Sequence, residues 1–572
     1  MKFLLTVLAA LLLGCASSQA DPAYYFAANG SDSKPCTQTL PCLTIAKAQS
    51  LSYLPGDSIN FRGGDTFTGC LSITPTNVPS GGLPSNPITV QSYGTGSATL
   101  TNDCTGDKAG LVTIDGVSGV IVNNLKIAVS PSITLGAGVL VQNSFSLNPV
   151  STVIVQNSEI TGAHTPGPLD PGASEVLILG WANNRNCGPL TNIQVLNNKL
   201  HGATPTSTDG SGITGTGCDS GTSHNISNTL YSGNEVYNVQ NGIVISGVDG
   251  GVAQFNLVHD VGANNVSCGG PVGVWAWRSN NATIQFNEVH HLQPLPSYTT
   301  GCDWDAYDLD TGVTNSVVQY NYSHDNAGPC LLAYNAEVWG NNTFRYNICE
   351  NDNTTLSTGN GLIFLMAPTG TGGDGIARVY NNTIFNNVSS PTSFAPPACL
   401  DFGFSGTFPA GTLVANNICI NSGTDQYGRT RFVDYGNGPD TTQVTLTHNL
   451  YFGPGTWNWG LTDYSVFADY QTASGKDDGS VVGDPNLAGI VPAGACTWTP
   501  SLANGPQPCP SGYELTAAPV LNAGANLQAD PYNLDVGTRD YWGNAITTTP
   551  NIGADGGPHY DEEAKRLRRQ RE

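Results

Sequence analysis

The chain has 572 residues, a formal charge of −23 and only 11% charged residues. So acidic a body excludes nucleic acid as the ligand, because phosphates demand a basic surface, and so few charges exclude a disordered polyelectrolyte. With 69 glycines and abundant Asn, Ser and Thr, the composition favours turns over helices.

Residues 1–20 read as a secretory signal: Lys2, an apolar run from Phe3 to Leu13, and the small-x-small cleavage pattern Ser18-Gln19-Ala20. Leu12-Leu13-Gly14-Cys15 alternatively resembles a lipobox, which would leave a lipidated Cys15. Either way the mature chain is expected to be exported, as a secreted or cell-surface protein. No later stretch reaches the roughly 18 apolar residues of a membrane helix, so no transmembrane segment is expected, and a monomer is favoured. Beyond Cys15 fourteen cysteines remain, enough for seven disulfides in an oxidising compartment. Cys36 with Cys42, and Cys496 with Cys509, each share a short Pro- and Ser/Thr-rich loop and suit local bridges.

After the signal come Tyr24-Tyr25-Phe26-Ala27-Ala28-Asn29-Gly30, then Pro41-Cys42-Leu43-Thr44-Ile45-Ala46-Lys47-Ala48, then Pro55-Gly56-Asp57. This opening resembles right-handed parallel β-helix proteins of the pectin-lyase-like superfamily, in which a short amphipathic helix caps the first coil. Val482-Gly483-Asp484-Pro485-Asn486 and Asn551-Ile552-Gly553-Ala554-Asp555 are similar to the closing segments of such proteins. The resemblance implies an all-β fold, a single-stranded parallel β-helix (solenoid) over 21–480, an N-terminal capping helix, an irregular C-terminal cap over 481–558 and a charged tail over 559–572. It carries over no catalytic residue: the Gly-His-Gly of polygalacturonases is lacking, and the superfamily hosts many chemistries.

Between those ends a repeat governs the chain. Strand-like segments rich in β-branched and aromatic residues run into Asn157, Asn198, Asn234, Asn256, Asn287, Asn321, Asn347, Asn382, Asn417 and Asn449, 22 to 41 residues apart. An asparagine in such a turn satisfies backbone groups and bonds the equivalent amide one coil away. His259, His290 and His324 follow the asparagine by three residues in successive copies, with His201 and Glu350 at that place in flanking ones, so they are expected to line up.

Aligned on the asparagines, segments 242–246, 273–277, 306–310, 330–334 and 361–365 fall into successive coils. With Val274, Ala276, Tyr307, Leu309, Leu331, Ala333, Leu362 and Phe364 inward, Trp275, Trp277, Asp308, Asp310 and Tyr334 point out. Tryptophans beside aspartates suit a polysaccharide or other glycan, whose C–H faces stack on aromatic rings while carboxylates handle hydroxyls and protons.

Asp308 and Asp310 are the acid and base candidates. Alternate strand residues lie about 6.6 Å apart, which leans towards an inverting glycoside hydrolase. In a lyase, Arg278 would neutralise a uronate carboxylate while His324 or Tyr334 removed a proton. Asp303 and Asp305, in the same dense segment, are candidate Ca²⁺ ligands. The two functional readings are a carbohydrate-active enzyme, hydrolase before lyase, and a non-catalytic glycan-binding or surface protein.

Overall fold

The computed structural model describes residues 22–555 apart from 133, 165–172, 181–187, 203–209, 219–223, 263–270, 294–302, 356–358, 360, 370–372, 390–394, 437, 490–510 and 517–520. The signal segment, Cys15, Cys496, Cys509 and the charged tail lie outside the described residues.

The chain winds into a parallel β-helix. Three long sheets of 16, 14 and 14 strands run its length, and most coils contribute one strand to each. In one coil, Val252–Gln254 lies in the first sheet, a two-residue turn leads to Leu257–His259 in the second, and a long connection leads to Val274–Trp277 in the third. Coils stack in phase: Ala253 faces Ile284, which faces Val318, and Val258 faces Val289, which faces Ser323. Short alternating strands suit this arrangement, because every second side chain must enter a narrow core shared with the coils above and below.

From Asn198 to Asn449, each turn between the first and second sheets ends in the predicted asparagine. Asn287 Nδ2 donates to the Ala253 carbonyl (3.0 Å) and to Asn321 Oδ1 (3.0 Å), while its own Oδ1 accepts from Asn256 N (3.0 Å) and Asn256 Nδ2 (2.9 Å). The same links run from Asn198 to Asn449, where Asp477 and Ser480 close the series. Asn157 is not a rung. It sits one residue early, exposed and left-handed (φ 53°), and Ser158 takes the rung instead, its N–H donating to Asn198 Oδ1. An asparagine suits both places, since it tolerates the left-handed region as readily as it forms a rung.

The residue before each rung is left-handed, and in four successive coils it is aromatic: Phe255, Phe286, Tyr320 and Tyr346, with φ between 52° and 58°. Their rings stack at 5.1, 5.0 and 5.7 Å, contact that offsets the backbone cost of bulky residues in this region.

At the N-terminal end a helix spans Ile45–Gln49, capped by Thr44 Oγ1 and burying Ile45 and Ala48. At the other end a hairpin, Thr456–Trp459 with Thr462–Tyr464, and a helix, Phe467–Ser474, close the core around Trp457 and Tyr470. Residues 511–516 and 521–555 then lie along the outside of the coils. Tyr320 Oη donates to the Arg539 carbonyl, Tyr380 Oη to the Asp535 carbonyl, and Tyr513, Leu527, Val536 and Tyr541 pack with Tyr346, Ile348 and Leu413. Disulfides join Cys36–Cys42, Cys70–Cys104, Cys330–Cys349 and Cys399–Cys419.

Candidate active site

The outward face of the third sheet carries the aspartates. Its strands Ile243–Ser246, Val274–Trp277, Tyr307–Leu309, Leu331–Ala333, Gly361–Met366 and Ala398–Gly403 pair in order. Their register places Val244, Trp275, Asp308, Leu332, Phe364 and Asp401 in one outward row. Trp277, Asp310 and Tyr334 stand two residues further along their coils. Trp275, Trp277, Arg278, Asp303, Asp310 and Tyr334 are half-buried.

One expected orientation is corrected. Leu331 pairs with Ile363, not with Leu362, so Ile363 and Leu365 enter the core while Phe364 points out and packs against Phe404, 6.0 Å between ring centroids. A one-residue slip flips every side chain on a strand. Phe404 itself is left-handed, 53% exposed, and 6.5 Å from the Tyr334 ring, adding an aromatic surface on the side of the aspartates opposite the tryptophans.

The four aspartates of 303–310 differ sharply in access. Asp305 and Asp308 are buried, 0% and 3% exposed. Among the described residues, neither oxygen of Asp305, nor Oδ1 of Asp308, has a hydrogen-bond partner. Burial, and then the charges of neighbouring aspartates, hold both carboxyls well above the ordinary carboxylate range. Asp310 keeps some surface. Burial pushes it up to about 6, opposed by hydrogen bonds from Thr311 and reinforced by the charges of Asp303 and Glu337. The Tyr334 hydroxyl is raised by burial and then by Asp310, Asp303 and Asp308, which places it against the same cluster. One cluster thus holds a carboxyl poised near pH 6, a second half-buried carboxylate, and two buried acids behind them.

Arg278 is less available than its position suggested. Its guanidinium lies 4.6 Å from the Trp277 ring and forms a two-pronged ion pair with Glu337, at 2.9 and 2.7 Å. His324 does not join this face at all. It belongs to Tyr322–His324 of the second sheet, 3% exposed, with Nε2 3.2 Å from Glu288 and Nδ1 3.0 Å from Asp325. As for Asp303 and Asp305, the four aspartates form no group of three donors within 4.8 Å of one another; Glu288, His290 and His324 do.

Half of the chain is similar to a lacto-N-biosidase. That biosidase is from Bifidobacterium longum subsp. longum, and the similarity is 26% identity over 300 residues, 50% of this chain and 16% of the biosidase. The chain therefore corresponds to a minor part of that relative's length. No family model matches. Among solved structures, the GH136 lacto-N-biosidase of Eubacterium ramulus aligns over 73% of this chain and 67% of its own, at 16% identity and a TM-score of 0.47. The pectate lyase Pel9A aligns over 94% and 97%, at 12% identity and a TM-score of 0.39. With TM-scores below 0.5, neither bears on individual side chains.

The histidines form the expected column, with Tyr237 inserted: His201, Tyr237, His259, His290 and His324 stack at 4.8, 5.1, 5.2 and 4.7 Å. The last three rings differ in proton affinity. Burial lowers all three, yet hydrogen bonds to Asp260 and Glu235 raise His259 to about 9, and those to Asp325 and Glu288 raise His324 to about 9. His290, between them, is pushed down to about 3 by burial and by its cationic neighbours.

Proposed function

We propose that the protein is an exported glycoside hydrolase that cleaves a glycan along the outward face of the third sheet. The observation that carries the reading is Asp310, a half-buried residue whose carboxyl is raised to about 6 beside half-buried Trp277 and Tyr334. A general acid must hold its proton near the working pH, and burial among other acids supplies that condition. The 26% identity to a lacto-N-biosidase over half the chain supports hydrolysis over elimination, and the disulfides support an extracellular setting.

In this reading Asp310 protonates the glycosidic oxygen. Asp303, half-buried in the same cluster, is the second reacting carboxylate, a role that access assigns to it over buried Asp308. Asp305 and Asp308, buried and kept neutral, are positioning residues, while burial and the charges of Asp303 and Glu337 keep the proton on Asp310. Trp275, Trp277 and Tyr334 form the sugar platform, and Arg278, tied to Glu337, braces Trp277.

The test is turnover of aryl glycosides and neutral oligosaccharides by the wild type and by Asp303→Asn, Asp308→Asn and Asp310→Asn. The first and third substitutions are expected to lower kcat/KM by at least a thousandfold. Asp308→Asn, which exchanges one neutral buried group for another, should lower it less and leave the acidic limb of the pH profile in place. Full activity in both Asp303→Asn and Asp310→Asn would refute the assignment; glycan binding without turnover in the wild type would favour a binding protein.

A further inference from the structure

Outside the aspartate face, the second sheet carries a regular arrangement of ions that breaks at one coil. Two carboxylates there are each held by a lysine from the coil before and a histidine from the coil after. Glu159 has Lys126 Nζ at 2.9 Å and His201 Nε2 at 3.3 Å; Glu235 has Lys199 Nζ at 3.4 Å and His259 Nε2 at 3.6 Å. Glu288 is next in that row. The coil before it offers Leu257 in the lysine's place, since Glu235 pairs with Leu257 and Leu257 with Glu288.

In exchange, Glu288 gains a second imidazole. Two residues beyond the carboxylate, where the Glu159 and Glu235 strands carry Thr161 and Tyr237, its own strand Glu288–His290 carries His290. His324 approaches from the following coil, Nε2 to Glu288 Oε1 at 3.2 Å. One ligand atom from each of Glu288, His290 and His324 lies within 4.8 Å of the other two.

We propose that these three side chains bind one divalent transition-metal ion of the zinc class. Two imidazole nitrogens and one carboxylate oxygen are a ligand set that Zn²⁺ takes, leaving a fourth position for water. The outer partners fit as well. His324 Nδ1 is 3.0 Å from Asp325 Oδ2 and His290 Nδ1 is 2.7 Å from His291 Nδ1, so both rings are oriented through Nδ1 and keep Nε2 for the ion. Ligands at about 2.1 Å around a tetrahedral ion are roughly 3.4 Å apart, which the two rings, stacked at 4.7 Å, reach by tilting their edges together. The ion would clamp two coils on a sheet separate from the aspartates, so the inference does not rest on the glycosidase reading.

The experiment uses the full chain without a histidine tag, stripped with a chelator and dialysed against Zn²⁺ or Co²⁺. Metal content by mass spectrometry and the visible spectrum of the cobalt form are the readouts. One ion per chain is expected, with a tetrahedral cobalt spectrum. His290→Gln and His324→Gln should each weaken binding at least tenfold, while His259→Gln, in the same stack but outside the trio, should leave it unchanged. The proposal is overturned if folded wild type holds no stoichiometric Zn²⁺, if the double variant His290→Gln/His324→Gln retains it, or if His259→Gln loses it equally. The wild-type measurement stands even where a variant fails to fold.

Discussion

Replacing Asn287 by alanine removes four hydrogen bonds at once: two donated by Nδ2, to the Ala253 carbonyl and Asn321 Oδ1, and two accepted by Oδ1 from Asn256. At about 1 kcal/mol net for each buried bond, the loss is about 4 kcal/mol, and the orphaned groups cannot reach water to offset it. The comparison is Asn157→Gly, which deletes one exposed bond to Asn123 and keeps a residue suited to φ 53°, at a cost below about 1 kcal/mol. A long stack of coils need not unfold in one step, so the assay is native-state hydrogen exchange by mass spectrometry on peptides covering 252–259, 283–290 and 317–324. Asn287→Ala is expected to speed exchange there by about a thousandfold, at 1.4 kcal/mol per factor of ten. Exchange within threefold of the Asn157→Gly protein would refute the claim that the buried rungs hold the coils together.

Asp310 links stability to pH. Its folded value of about 6 exceeds the ordinary 3.8, so between about pH 4 and 6 the folded state keeps a proton that the unfolded chain releases, and stability falls as pH rises through that window. Asp310→Asn removes this loss: Tm should match wild type at pH 3.5 and exceed it at pH 7.5, and an absence of gain at pH 7.5 would sink the assignment. Truncation after Gly489 strips the segment that covers Tyr320, Tyr346 and Tyr380. Binding of an apolar dye and cleavage by protease are expected to rise several-fold; unchanged values would mean that this segment does not shield the coils.

The parts of the site that were legible are those set by local alternation. Trp275, Trp277, Asp308 and Asp310 alternate with Val274, Ala276, Tyr307 and Leu309, and the chain's pattern alone orients them. The strand Gly361–Met366 resisted the same reasoning because all six of its residues are buried; with no polar face to mark, two registers one residue apart look alike, and the wrong one turns Phe364 inward. Burial also decided chemistry. Asp303, Asp305, Asp308 and Asp310 are four equal letters in the chain, whereas the fold leaves Asp303 and Asp310 half-buried and closes off the other two.

The sequence by itself determined the coil. A short strand, an asparagine turn and a second strand, repeated, allow little besides a stack in which each amide bonds the next. Only the tertiary structure decided what lies beside what across the loops and along the outside. Glu337 captures Arg278 from 59 residues away, Arg539 meets Tyr320 from 219 residues away, and His324 is carried to a different sheet from Asp310. The physical reason is range: hydrogen-bond periodicity along a strand is written every two residues, whereas ion pairs and burial depend on connections whose lengths follow no period.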